Sequence, residues 1–191
     1  MGLSRRDLLR SGLRDLLRAT LPPEPAPAPA GQPESEPARA PFLRPPGALP
    51  EPDFLAACTR CDACFEACPR DALQRADPEL CPDGAGTPVI RYEEQPCWLC
   101  KDLPCIAACE PGALLPLDSP SEARMGRARI RFQECYAAQG NLCDVCAERC
   151  PTRPKAVRVP FGQAPALDLE RCAGCGVCAW LCPAQAIDIS V

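Results

Sequence analysis

The chain has 191 residues, with 17 Cys, 26 Pro, no His and a formal net charge of −4. Without imidazole, His-ligated haem, Rieske centres and Cys/His zinc sites are excluded. No run of 18 apolar residues is present to span a bilayer, and the cysteine-rich part lacks the long basic tract that nucleic acid requires. Two Trp, two Tyr and five Phe make a thin apolar core. Such a chain needs staples: disulfides, zinc or iron–sulfur clusters.

In chain order, Ser4-Arg5-Arg6-Asp7-Leu8-Leu9 resembles the twin-arginine export motif. An export signal then needs an uncharged apolar stretch, and here Arg14, Asp15 and Arg18 interrupt it. Read as a helix, residues 1–21 put Arg6, Arg10, Arg14 and Arg18 on one stripe and Leu9, Leu13, Leu16 and Leu17 opposite. That is a basic amphipathic segment suited to a membrane surface or a partner groove. The first 18 residues carry a net +3, so the remainder carries −7. Residues 22–52 hold twelve Pro and read as an extended, disordered tether. Its end, Leu43 to Leu49, is placed to dock on the folded part.

The folded part is expected from 53 to 191 and contains four cysteine groups. Cys58-Thr-Arg-Cys61-Asp-Ala-Cys64-Phe-Glu-Ala-Cys68-Pro69 is the C-x2-C-x2-C-x3-C-P run by which bacterial ferredoxins hold a [4Fe–4S] cube. The two-residue gaps aim three thiolates at three corners of one cube, and the fourth thiolate serves a neighbouring cube. Group two is Cys97, Cys100, Cys105 and Cys109, with two residues inserted before the third member. In group three, Cys135 is displaced upstream of Cys143, Cys146 and Cys150, and Gly140-Asn141 is available to turn the chain back. Group four, Cys172, Cys175, Cys178 and Cys182-Pro183, is again unmodified.

Short alternating runs between the groups predict strands at Val89–Tyr92, Arg129–Phe132 and Ala186–Ile189, and a hairpin from Val157–Val159 to Leu167–Leu169. Arg70–Gln74 reads as a helical turn. Each group with its strand forms a half-unit of a ferredoxin, repeated four times. The fold class expected is α+β, a duplicated bacterial two-[4Fe–4S] ferredoxin. Zinc knuckles need paired C-x2-C alone and leave the third Cys and the Cys-Pro unexplained. Disulfide scaffolds do not produce four regular copies with two-residue gaps. The sixteen grouped cysteines are therefore the expected ligands of four [4Fe–4S] clusters, with Cys81 a bystander in a Pro/Gly loop. No nucleophile–base pair or phosphate loop points to an enzyme.

Beyond these spacings, the chain resembles the MauM/NapG ferredoxin-type proteins of periplasmic nitrate reductase and methylamine-utilisation systems. The features that carry the resemblance are Arg44-Pro45-Pro46-Gly47-Ala48-Leu49, Gly86-Thr87-Pro88, Pro96-Cys97 through Cys105, Gly112-Ala113-Leu114, Ala123-Arg124-Met125-Gly126 and Cys143-Asp144-Val145-Cys146. The resemblance implies four clusters, with Cys135 a ligand. It also implies single-electron transfer from a quinol-oxidising membrane protein of ferredoxin type toward a reductase. The other reading is an accessory or maturation factor that docks on a reductase and supplies electrons or clusters. Family members are exported by the twin-arginine route, yet the interrupted N-terminal segment points to the cytoplasm, at most peripherally at the membrane face. The periplasm is the alternative location.

Two pairings of the groups are compatible with the spacings. Nesting is the expected one, because both unmodified groups lie outside and both modified groups inside. It is also the arrangement of the four-cluster subunits of molybdenum oxidoreductases, which group two resembles. Nesting makes an outer unit of 53–90 plus 151–191 and an inserted unit of 91–150. It would join Cys58, Cys61 and Cys64 to Cys182, and Cys172, Cys175 and Cys178 to Cys68. In the inserted unit Cys97, Cys100 and Cys105 would join Cys150, and Cys135, Cys143 and Cys146 would join Cys109.

Overall fold

The computed structural model describes residues 42–191. The basic segment 1–21 and residues 22–41, with the export and amphipathic-helix readings, lie outside the described residues. The described part consists of short helices, two-stranded antiparallel sheets and long ordered connections. In chain order the elements are α1 (Glu51–Ala57), α2 (Ala63–Glu66), β1 (Gln74–Arg75), β2 (Pro88–Val89), α3 (Pro104–Ala107), β3 (Arg127–Ile130), α4 (Val145–Arg149), β4 (Val157–Arg158), β5 (Ala166–Leu167), α5 (Val177–Trp180) and β6 (Ile187–Ser190). A 3-10 turn at Pro120–Glu122 lies between α3 and β3.

A helical turn, a two-stranded hairpin and a second helical turn follow one another in each half. In the first half, β1 and β2 form a hairpin with Gln74 opposite Val89. Leu43 exchanges two amide bonds with Ile90, of 2.9 and 2.8 Å, and Ala48 bridges Leu114 beyond group two. In the second half, β4 and β5 form the hairpin, and β3 pairs with β6 from Arg127–Ser190 to Ile130–Ile187. The segment before the first group of each half thus pairs with the segment after its second group. Alternation decides which strand face is inside: Ala128 and Ile130 of β3 and Ile187 and Ile189 of β6 are buried, and their neighbours are more exposed. Large apolar side chains are few, and thiols complete the interior: Cys105, Cys135, Cys146, Cys150, Cys172 and Cys175 are buried within the core.

The folded part starts earlier than 53, because Leu43 is fully buried. Arg44 holds this lead-in. Its Nε donates to Glu51 Oε2 at 2.8 Å and its Nη2 donates to the other Glu51 oxygen. Its Nη1 reaches the Thr87 hydroxyl at 2.8 Å and the Pro88 carbonyl at 3.1 Å. The guanidinium lies over the Phe54 ring at 4.6 Å. The Arg44 bond holds the Glu51 carboxyl below its ordinary value, against the opposing effect of burial. One planar side chain thereby ties the Pro-Pro segment to α1 and β2, a task for which lysine lacks the fork.

Other expectations shift in register. Arg70–Gln74 forms no helical turn: Asp71 takes φ of 50°, which stops a helix, and Gln74 pairs in β1. The run at Val89–Tyr92 is a strand only as far as Val89, with Ile90 in a bridge. Tyr92 turns inward instead, and its hydroxyl accepts the Ile189 amide at 3.4 Å. β3 ends at Ile130 because the Arg131 carbonyl already accepts the Glu134 and Cys135 amides of the next turn.

Candidate iron–sulfur sites

Each cysteine group folds around one helical turn whose second residue is the third cysteine: Cys64 in α2, Cys105 in α3, Cys146 in α4 and Cys178 in α5. The turn reverses the chain, so the fourth cysteine leaves on its far side. Before three of these turns the chain takes a left-handed residue: Asp62 (φ 67°), Leu103 (φ 40°) and Gly176 (φ 85°). Group three dispenses with it, since Asp144 has φ of −135°. There the longer gap folds on itself: the Gln139 amide bonds to the Cys135 carbonyl at 3.1 Å and the Asn141 amide to the Tyr136 carbonyl at 2.9 Å. That turn brings Cys135 back to face Cys143 and Cys146. In group two the insertion closes by a turn from the Leu103 amide to the Cys100 carbonyl, 3.2 Å.

The thiols converge in sequential pairs of groups, and this corrects the nested pairing. Cys58, Cys61, Cys64 and Cys109 line one void. Cys68, Cys97, Cys100 and Cys105 line a second. Cys150, Cys172, Cys175 and Cys178 line a third. Cys135, Cys143, Cys146 and Cys182 remain for a fourth set, and the charges of Cys135, Cys143 and Cys182 add to the burial that raises the Cys146 thiol. The reason is local packing. Helical turn α2 packs on α3 and α4 packs on α5, and each half is closed by its own terminal pairing. Neighbours in sequence meet first, and among the described residues no strand pairing carries group four back to group one.

The electrostatics test whether these residues fit a cluster. Burial first, then the charges of Cys58, Cys109 and Cys105, push the Cys64 thiol up to about 12. Burial likewise pushes Cys97, Cys105 and Cys175 up to about 12, and Cys178 well above its ordinary value, with neighbouring sulfurs adding repulsion. Several thiolates can share such a void only around a cationic core. Four cysteines around one void match the ligand count of a cube. Cys81 lines none of these voids; its sulfur lies 3.6 Å from Arg44 Nη2.

Amides and a hydroxyl support the fourth cysteines. The Ala72 amide donates to Cys68 Sγ at 3.4 Å, and the Ala186 amide donates to Cys182 Sγ at 3.3 Å. Cys150 lies 3.2 Å from the buried Thr152 hydroxyl, whose oxygen accepts the Ala156 amide at 2.9 Å and so leaves its proton for the sulfur. Burial raises the Cys150 thiol, but the bonds from Thr152, Ala156 and Val157 outweigh it and hold the thiol below its ordinary value. Sequence spacing gave no sign of Thr152; only its position two residues after the last cysteine of group three places it there. Donors to a ligand sulfur stabilise the more negative, reduced state of a cluster. Thr152→Val is therefore expected to lower one reduction potential by about 20–60 mV, the equivalent of one hydrogen bond of about 0.5–1.5 kcal/mol. Thr152→Ser is expected to restore it; a redox titration followed by electron paramagnetic resonance checks both.

Residues 55–74 and 165–188 match the model of the 4Fe-4S binding domain. The methylamine utilization ferredoxin-type protein MauM of Methylorubrum extorquens is 41% identical over 152 residues, 74% of this chain and 68% of that protein. The ferredoxin-type protein NapG of Escherichia coli is 38% identical over 154 residues, 73% of this chain and 65% of that protein.

The chain belongs to the MauM/NapG ferredoxin-type family. The ferredoxin-type protein NapF of Escherichia coli is also similar, 33% identical over 148 residues, 76% of this chain and 82% of NapF. The chain spans 63–68% of the length of the first three MauM relatives. No solved structure matches. For this MauM/NapG-type chain the 4Fe-4S binding domains establish [4Fe–4S] clusters and an iron–sulfur electron-transfer role.

Proposed function

We propose that the chain is a four-cluster electron relay built as two tandem α+β ferredoxin units, with sixteen cysteines as ligands and Cys81 uninvolved. The observation that carries this reading is the convergence of three cysteines of one group with the last cysteine of its neighbour, lined up around three voids. A [4Fe–4S] cluster, when bound, supplies a centre that accepts and releases one electron with little rearrangement. The residues of this chain hold it, exclude water through Leu99, Leu103, Val177 and the buried thiols, and donate hydrogen bonds to its ligands. Four thiolates around a +2 core give each oxidised site a formal −2, so a partner's docking surface is expected to be basic.

The donor proposed is a quinol-oxidising membrane protein of ferredoxin type, and the acceptor a reductase. This rests on the family to which the chain belongs. Among the described residues no helix is long and apolar enough to cross a membrane, and Arg14, Asp15 and Arg18 interrupt the N-terminal apolar segment. The location proposed is the cytoplasm, at the membrane face. Two measurements test the reading. Membranes supplied with quinol are expected to reduce the loaded chain in one-electron steps; a chain that stays oxidised, although dithionite reduces it, contradicts the quinol-linked donor. Fractionation that finds a shortened form in the periplasm overturns the location.

A further inference from the structure

The two halves meet through the cysteine loops themselves. The Cys97 amide, in group two, donates to the Cys175 carbonyl, in group four, at 3.1 Å. Around this bond the seam is tightly fitted. A Cβ on Gly176 would lie 2.3 Å from the Tyr92 Cβ, so only glycine lets the group-four loop approach that segment. Within the second half the same loop is held from behind: Gly174 packs against the Gly126 backbone beside β3, with 2.3 Å between a Cβ and the Gly126 carbonyl oxygen, and the Met125 amide donates to the Ala173 carbonyl at 3.0 Å. Trp98, next to Cys97, meets Trp180 edge to face at 6.1 Å. These contacts make the seam a fixed interface between the second void and the third.

The other neighbours complete an order. Groups one and two share the first two sets, since Cys109 lines the first void and Cys68 the second, and Cys150 of group three lines the third beside group four. Helices α2 and α3 pack together, as do α4 and α5, which joins the sets within each half.

We propose that the four sites form one unbranched line, with electrons crossing between the halves at the Cys97–Cys175 hydrogen bond and entering or leaving at the outer sets. The proposal rests on the four-cluster reading above. The ends are the set of Cys58, Cys61, Cys64 and Cys109 and the set of Cys135, Cys143, Cys146 and Cys182. One electron passes at each step from a reduced site to its oxidised neighbour, and no bond forms or breaks. An external one-electron reductant supplies it and an external one-electron oxidant removes it. Cys61, in the first set, is the one exposed cysteine among the described residues.

The test uses the full chain, loaded anaerobically and fully reduced with a strong one-electron reductant. Four variants each remove one set: Cys61→Ala and Cys143→Ala at the ends, Cys100→Ala and Cys172→Ala inside. Iron is counted in each, and magnetic coupling between neighbouring reduced sites is read by electron paramagnetic resonance. Loss of an end set is expected to leave three sites, every one coupled to a neighbour. Loss of an inner set is expected to leave one uncoupled site of a single spin beside a coupled pair. An uncoupled site in an end variant, or none in an inner variant, overturns the line. A wild-type chain that loads fewer than four clusters instead overturns the reading on which the line rests. A variant that loses more than one cluster is replaced by Cys→Ala at another cysteine of the same set.

Discussion

Cys175→Ser is expected to lose or convert one cluster, and Cys81→Ser to change neither the iron content nor the reduction spectrum. The contrast follows from surroundings, since both positions are cysteines in Gly-containing loops. Cys175 is buried among Cys150, Cys172 and Cys178 around one void, and burial pushes its thiol up to about 12. A thiol so raised becomes a thiolate at neutral pH only when a cationic core faces it. Cys81 faces the Arg44 guanidinium at 3.6 Å and lines none of the three voids. Its removal leaves Arg44 held by Glu51, Thr87 and Pro88. The iron lost with Cys175 is expected to be about four atoms per chain, or one where the cube converts to a three-iron form. Iron lost with Cys81 contradicts the ligand set.

Double variants are expected to separate sequential from nested pairing. Cys109 lines the void of Cys58, Cys61 and Cys64. Cys61→Ala and Cys109→Ala therefore strike the same site, and the double variant is expected to lose about as much iron as either single one. Cys109→Ala with Cys143→Ala strikes two sites and is expected to lose about twice as much, because distant and independent changes add. Nesting puts Cys109 with Cys143 and requires the reverse. Iron analysis of the three single and two double variants reads the result directly, and circular dichroism confirms that each retains the fold.

The cysteine grouping was legible in the sequence because the geometry of a cube fixes the spacing of its ligands along a tight loop. The return of Cys135 was legible in Gly140-Asn141, and the chain does turn there. The hairpin of β4 and β5 and the closing strand β6 were legible as alternating runs. The pairing of groups was not, since either pairing satisfies every spacing. Symmetry between the unmodified groups favoured nesting, whereas contacts of α2 with α3 and of α4 with α5 decide for sequential neighbours. The strand β1 was hidden because Gln74-Arg75 has no apolar alternation; only its partner Val89 defines it. Nor did any pattern reveal the seam. Gly176 sits in the group-four loop, and its closest contact across the seam is Tyr92, far away in the chain.

Anaerobic reconstitution followed by iron, acid-labile sulfide and zinc analysis tests the central claim most directly. Four sites of four cysteines are expected to hold about sixteen iron and sixteen sulfide per chain, with no stoichiometric zinc. Stoichiometric zinc without sulfide would contradict the account.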